Sequence, residues 1–124
     1  ETMSQFIEGR TKTFRAGEAL ASNRLVILSS GTVIYADATH KPIGVTRNAA
    51  ANGEPVAIDL MNLQGTVKIE ASAAITAGAS VYGTADGKID DADPGSGVIV
   101  GKAMEAAADA GDLIEVLPRA SAAF

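Results

Sequence analysis

The chain contains no cysteine, no tryptophan and few other aromatic residues. Of its 124 residues only three are Phe and two are Tyr, although 47% are hydrophobic. The absence of cysteine excludes disulfide bonds, thiolate zinc sites and cysteine nucleophiles. A core must therefore be built from Val, Ile, Leu and Ala. We expect so small and aromatic-poor a domain to gain stability from contacts between subunits.

Long apolar runs and an excess of positive charge are also lacking. No apolar run approaches the roughly 20 residues that cross a bilayer, and no signal peptide is visible, so no membrane partner is expected. The net charge of −5 argues against a nucleic-acid partner bound through its phosphates. Residues 1–47 carry six Lys and Arg against four Asp and Glu, and residues 48–124 carry four against eleven. The basic part suits an acidic partner or the acidic half of a neighbouring copy, although solubility alone is an alternative explanation.

Short alternating segments separated by glycine-rich turns make up residues 16–118. In PVAIDL, Val56, Ile58 and Leu60 share one face, and TVKIE alternates in the same way. The segments RLVIL, TVIY, GVIVGKAM and LIEVL supply further strands. The pattern predicts a mainly β fold, a small β-barrel or sandwich with at most one or two short helical turns. The best helical candidate is SAAITAG, with Ser72 as N-cap and Gly78 as terminator.

One phrase occurs twice in the chain, as IGVTRNAAANGEPVAIDL in residues 43–60 and as VGKAMEAAADAGDLIEVL in residues 100–117. Aligning Gly44 with Gly101 superimposes two alanine triplets and then brings Gly53 onto Gly111. Upstream, SSGTVIYAD resembles ADGKIDDAD, and AGEAL (16–20) resembles AGASV (77–81). The order of the matches predicts two pseudo-repeated β units, about residues 16–60 and 77–117, packed into one domain.

The two ends of the chain differ from this body. We divide the chain into an N-terminal arm (1–15), a β body (16–118) and a C-terminal tail (119–124). The arm has no sustained period of a strand or a helix, and arm and tail together hold all three Phe residues. Aromatic side chains in such extensions need a surface to bind. We expect an extended arm that docks on another subunit, the alternative being that it folds back on its own domain.

The body resembles the tailed-phage capsid cement proteins, also called head decoration proteins. The resemblance is carried by AxITAGxxVY, by VGxAxEAA followed by AGD, and by a final alternating strand, and it covers residues 16–118. It implies a small β domain, usually a homotrimer, on the outer surface of the capsid of a mature virion. There such proteins clamp neighbouring subunits of the major capsid protein, and an extended N-terminal arm often makes the contact.

The arm and tail cannot be matched to the family residue by residue, so the contact residues are assigned from the sequence itself. Apolar anchors interleaved with cations suit a groove with an acidic rim, since the apolar groups supply buried area and the charges set the register. The side chains of this kind in the arm are Phe6, Ile7, Arg10, Lys12, Phe14 and Arg15.

No pattern of catalytic, metal-binding or cofactor-binding residues emerges. The acidic run of Asp90, Asp91 and Asp93 lacks the spaced ligands and the closing Glu of a calcium loop, and is expected to be a solvated turn. His40 is the sole histidine and has no evident partner for acid–base chemistry. The segment GTADGK lacks the Gly-Lys-Ser/Thr ending of a phosphate loop. We therefore expect neither an enzyme nor a cofactor or metal.

Two other functions are compatible with a small β domain. The first is a ligand- or carbohydrate-binding module, for which the sequence offers no aromatic platform. The second is a biotinyl- or lipoyl-like carrier domain, which carries its modified lysine at an exposed hairpin tip. Lys102 is predicted to lie within a strand instead, so the carrier is the less favoured alternative.

Overall fold

The computed structural model describes residues 11–61, 65–95 and 98–119. This part of the chain is mainly β, as the alternating patterns predict, and its single helical element is a 3-10 turn at Ala85–Gly87. No helix among the described residues is long and apolar enough to cross a membrane. The strands are β1 (Thr11–Arg15), β2 (Leu25–Ser29), β3 (Thr32–Tyr35), β4 (Gly44–Thr46), β5 (Pro55–Leu60), β6 (Val67–Glu70), β7 (Ser80–Gly83), β8 (Ile89–Asp90), β9 (Ile99–Ala103) and β10 (Leu113–Pro118).

The strands form two five-stranded sheets with the same topology. The first has the order β1-β5-β4-β2-β3 and the second the order β6-β10-β9-β7-β8. Replacing each strand of the first sheet by the strand five places later in the chain gives the second. Each sheet also curls toward closure, through parallel bridges that join Ala16 to Val33 and Ala71 to Ile89. The chain is therefore two pseudo-repeated units, a first unit of β1–β5 and a second unit of β6–β10.

Strand register defines which residues of the two units correspond. Gly44 pairs with Leu60 in the first unit, and Gly101 pairs with Pro118 in the second, so the alignment of the two glycines is confirmed. Farther upstream, the proposed match of residues 16–20 with 77–81 is wrong. Leu20 bridges Ala50 as Ile75 bridges Ala107, so residues 16–20 correspond to 71–75. Alanine and glycine recur so often in this chain that local sequence similarity does not determine which residues of the two units correspond. The pairing of the strands determines it.

Residues 11–15 belong to the body, and their assignment to an arm without secondary structure is wrong. They form β1, which pairs antiparallel with β5 from Thr11 opposite Asp59 to Arg15 opposite Pro55. Phe14 is half-buried and packs against the first unit's core. The segment TKTFR was missed because Lys12 occupies one of the two inward positions, which hides the alternation of a strand.

The segment SAAITAG forms no helix, so this candidate is wrong as well. The backbone N–H of Ile75 donates to the carbonyl of Ala107, at 2.9 Å. The N–H of Ser72 likewise donates to the carbonyl of Ile89, at 2.7 Å. Pairing across the second unit therefore overrides the helical preference of this alanine-rich segment.

Each unit has a core built from corresponding positions. In the first unit these are Ala16, Leu20, Val26, Val33, Ala50, Val56 and Ile58. In the second unit they are Ala71, Ile75, Val81, Ile89, Ala107, Ile114 and Val116. The second core also includes Leu25, Ala36 and Val45 of the first unit. Because Leu25 and Val26 are successive residues of β2, they point to opposite faces, and the first sheet is buried on both.

Candidate functional site

The acidic run that begins in β8 organises its own turn. Asp91 Oδ2 accepts the N–H of Thr76 at 3.0 Å, and Asp93 Oδ1 accepts the N–H of Gly95 at 2.8 Å. Within residues 11–61, 65–95 and 98–119, no three His, Asp or Glu side chains are grouped so as to hold a metal ion. The carboxylates of this run thus serve local hydrogen bonding.

His40 lies in an exposed loop after β3, beside Asp37. Its Nδ1 is 2.8 Å from Asp37 Oδ1, which also accepts the N–H of Thr39 at 2.9 Å. The hydrogen bond with His40, followed by that from Thr39, lowers the pKa of Asp37 from 3.8 to about 2. The pair fastens the loop, and its side chains are 60% and 54% exposed, so it is not placed in a cleft where acid–base chemistry would occur.

Strand β1 positions three of the six candidate contact residues. Lys12 Nζ lies 5.4 Å from the centre of the Phe14 ring, within the range of a cation–π interaction. Arg15 points to the other face, where its Nη1 donates to the carbonyl of Gly53 at 2.7 Å. The structure therefore brings Lys12 and Phe14 together and separates Arg15 from them. The other three candidates, Phe6, Ile7 and Arg10, lie outside the described residues.

A polar cluster that sequence reasoning did not identify fixes the start of β1. Thr11 Oγ1 donates to Asp59 Oδ1 at 2.8 Å, and Arg47 Nη1 donates to Thr11 Oγ1 at 3.3 Å. Arg47 Nε also lies 3.7 Å from Asp59 Oδ1. These three residues are distant in sequence, so only the pairing of β1 with β5 brings them together.

Large apolar side chains are exposed mainly on the second unit. Among the described residues they are Leu28 (52% exposed), Met104 (50%), Leu113 (49%) and Leu117 (46%). Leu113 and Leu117 lie on the outer face of β10. The alternation of this strand was evident in the sequence.

A groove of about 490 Å³ runs beside Leu117, lined also by Ser80, Ile99, Gly101, Lys102, Pro118 and Arg119. Its lining is mostly apolar, with the two cations Lys102 and Arg119. Lys102 lies opposite Leu117 in the pairing of β9 with β10. It is thus in the middle of a sheet and not at a hairpin tip, where a carrier domain would require its lysine. The groove is open to solvent.

Comparison with known proteins gives the family. The family model of phage cement proteins matches residues 7–118. Among solved structures, the "head fiber gp8.5 N base" of bacteriophage phi29 is similar, with a TM-score of 0.75 and 22% identity over 88% of this chain and 92% of that chain. At this identity the likeness shows a common fold. No curated protein sequence matches. The family match spans all ten described strands, and the chain belongs to the phage cement protein family.

Proposed function

We propose that this protein is a non-catalytic structural component of a phage virion. It decorates the outer surface of the head and stabilises it by clamping neighbouring subunits of the major capsid protein. The observation that carries the proposal is the family match over residues 7–118. The similar fold named as part of a phage head fibre supports a place on the head.

The clamp acts through several weak contacts made at once. A homotrimer presents three copies of each surface, so that after the first contact the others form within one complex. Linkage of this kind raises the overall affinity by roughly 10²–10⁴ without any new contact. The exposed Leu113 on the outer face of β10 is a side chain on which such contacts can form.

The N-terminal arm supplies the hook in this proposal. Phe6, Ile7 and Arg10 are its contact residues, followed by Lys12, Phe14 and Arg15 at the start of the body. Apolar anchors carry most of the energy of such contacts, and charges at the rim set their register. Because Phe14 also packs on the first unit's core, its effect on binding must be separated from its effect on stability.

The direct test mixes the protein with expanded, undecorated heads of its phage and images them. Extra density on the outer surface and greater resistance of the heads to heat are expected. Phe6→Ala should weaken binding more than Lys12→Ala, since a charge at the rim of a contact contributes under ~1 kcal/mol. Heads that gain no outer density, or that gain it without added resistance, would contradict the proposed function.

A further inference from the structure

The two units of one chain meet through two unlike surfaces. The first unit contributes the outer face of its sheet, with Leu25, Ala36 and Val45, here called the docking face. The second unit contributes the end of its curled sheet near Gly83, Gly87 and Val67, here called the receiving end. A Cβ atom on Gly87 would lie only 2.4 Å from the Leu25 carbonyl oxygen, and one on Gly83 would lie 4.0 Å from Leu25 Cδ1.

Polar contacts surround this junction. Arg24 Nε lies 3.2 Å from Glu70 Oε1, and Arg24 Nη1 donates to the carbonyl of Asp86 at 3.1 Å. The N–H of Glu70 donates to the carbonyl of Asn23 at 2.9 Å. The junction is thus a well-packed interface with an apolar centre and a hydrogen-bonded rim.

The repeat places a second docking face on the second unit. In the first unit Leu25 pairs with Val45, and in the second unit Ser80 pairs with Lys102 at the corresponding positions. The face of Ser80 and Lys102 borders the groove beside Leu117. The second unit covers the docking face of the first unit. No other part of the described chain covers the corresponding face of the second unit.

The repeat also places a second receiving end on the first unit. Leu28 pairs with Val33 as Gly83 pairs with Ile89, so Leu28 corresponds to Gly83. Leu28 is 52% exposed. A Cβ on Gly31, the counterpart of Gly87, would meet nothing within 4 Å. Each chain therefore leaves one docking face and one receiving end uncovered among its described residues.

We propose that a second copy of the chain covers both surfaces. The docking face of the second unit of one copy packs on the receiving end of the first unit of the next, which repeats between chains the junction seen within one chain. Such a head-to-tail contact generates a ring if the rotation closes, and three copies place six units in that ring. The proposal rests on the self-association in the proposed function and is independent of capsid binding.

The charges of the two units favour this order of docking. Residues 11–60 carry five Lys and Arg against four Asp and Glu, whereas residues 67–118 carry three against nine. A head-to-tail contact brings an acidic second unit to a slightly basic first unit, which favours encounter between chains. A contact between two second units would instead bring two acidic surfaces together.

The contact between chains is less apolar than the junction within the chain. Ser80 and Lys102 stand where the first unit has Leu25 and Val45, and Lys12 is the counterpart of Val67. Interfaces between separately folded chains are commonly no more apolar than the rest of the surface. Lys12 and Lys102 approach each other on docking, and their mutual repulsion weakens this contact relative to the junction within the chain.

Cysteine cross-linking tests the contact, since the natural chain has no cysteine. Ser80 corresponds to Leu25 and Leu28 to Gly83, which are neighbours in the junction. When the Ser80→Cys protein or the Leu28→Cys protein is treated by itself with a short thiol-reactive cross-linker, no cross-linked product is expected. Allowed to exchange subunits, their mixture should give a product of two chain masses and nothing larger.

Three outcomes would overturn the proposal. In the first, the wild type is oligomeric but the mixture of the two cysteine variants does not cross-link. The trimer would then form through another interface. Another is a single variant that cross-links to itself, because it would indicate a symmetric contact. The third is a monomeric wild type at high concentration, which would remove self-association in solution while head binding could still be measured.

A gain of affinity provides a second test. Ser80→Leu with Lys102→Val restores the residues of the first unit's docking face, and should tighten self-association about tenfold or more. The matched control is Ala74→Leu, which adds an exposed apolar side chain elsewhere on the second unit. Sedimentation equilibrium measures both proteins. Equal association of control and double variant, or no gain in either, would contradict the proposed contact.

Discussion

A glycine at corresponding positions of the two units marks a close approach of neighbouring strands. A Cβ on Gly44 would lie 2.4 Å from the carbonyl oxygen of Asp59, and one on Gly101 would lie 2.2 Å from that of Leu117. No side chain fits where backbone is so near. The glycine near the start of the repeated phrase is therefore required in each unit, because only a residue without a side chain lets the two strands approach so closely.

Gly101→Ala should consequently destabilise the protein. The added methyl group has to displace β9 from β10, and overpacking of this kind costs about 1–3 kcal/mol. Thermal unfolding measures the loss, with Ser80→Ala on the neighbouring strand as the control. Gly44→Ala should show a cost of the same order. An unchanged melting temperature in Gly101→Ala would contradict this account of the repeat.

The Asp37 carboxyl should titrate near pH 2. Its pKa is lowered from 3.8 to about 2, first by the hydrogen bond with His40 and then by that from the Thr39 N–H. The sign follows from the lowered pKa. The loop's stabilisation is present above the unfolded pKa of 3.8 and is lost as the pH falls through about 2.

NMR titration of the Asp37 side chain measures this value. In His40→Ala the pKa should return part of the way to 3.8, because the bond from Thr39 remains. A pKa that stays near 2 in the variant would show that His40 is not the main cause.

The alignment of Gly44 with Gly101 also places Asn48 opposite Glu105, but the sequence does not show that the two side chains share a role. Asn48 Oδ1 accepts the N–H of Ala57 at 2.9 Å, and Glu105 Oε2 accepts the N–H of Glu115 at 2.7 Å. The two side chains accept a hydrogen bond from corresponding positions, although one is an amide and the other a carboxylate. Lys68 and the N–H of Glu115 also lower the pKa of Glu105, whereas Asn48 does not ionise.

At the scale of elements, the sequence predicted β2, β3, β5, β6, β9 and β10, and it missed β4, β7 and β8, which have two to four residues each. PVAIDL became β5, and VKIE became β6. The strand TKTFR was missed because one of its inward positions is Lys12, and SAAITAG was mistaken for a helix because alanine favours helices locally. The structure of both segments depends on pairing with residues that are distant in the sequence, and a local sequence pattern does not reveal such pairing.

Removing β1 should be far more damaging than removing the residues before it. Deletion of residues 1–15 takes away a strand that pairs over five residues with β5 and the Phe14 ring that covers the first core. We expect a loss of several kcal/mol, because buried apolar area and strand hydrogen bonds are lost together.

Deletion of residues 1–10 is the matched control, since it retains every described strand. If these residues are the hook, this protein should melt close to the wild type and bind heads weakly or not at all. Differential scanning calorimetry and head co-sedimentation measure the two properties. Equal melting of the two truncated proteins would contradict the structural role of β1, and undiminished head binding by the shorter deletion would contradict the hook.

At the scale of the whole molecule, three copies should associate in solution. Each chain presents one docking face and one receiving end, so each copy meets two neighbours, and the small aromatic-poor core gains from the added burial. Light scattering should give about three chain masses. A stable dimer would contradict both the trimer and the head-to-tail contact.

Trimer formation and head binding can be separated with Leu28→Glu. Leu28 is 52% exposed, so the variant should keep the fold. On docking, a carboxylate at the centre of the receiving end is desolvated, and an ion pair with Lys102 does not offset that cost. We expect a monomer that retains each individual capsid contact.

If the clamp depends on three linked copies, this monomer should decorate heads about 10²–10⁴ times more weakly than the wild type. Head occupancy measured against protein concentration tests this, with Ala74→Glu as a control of equal charge outside the interface. Wild-type affinity in a confirmed Leu28→Glu monomer would show that a single chain grips the capsid by itself. Multivalent clamping would then be wrong, even if the protein sits on the outer surface of the head.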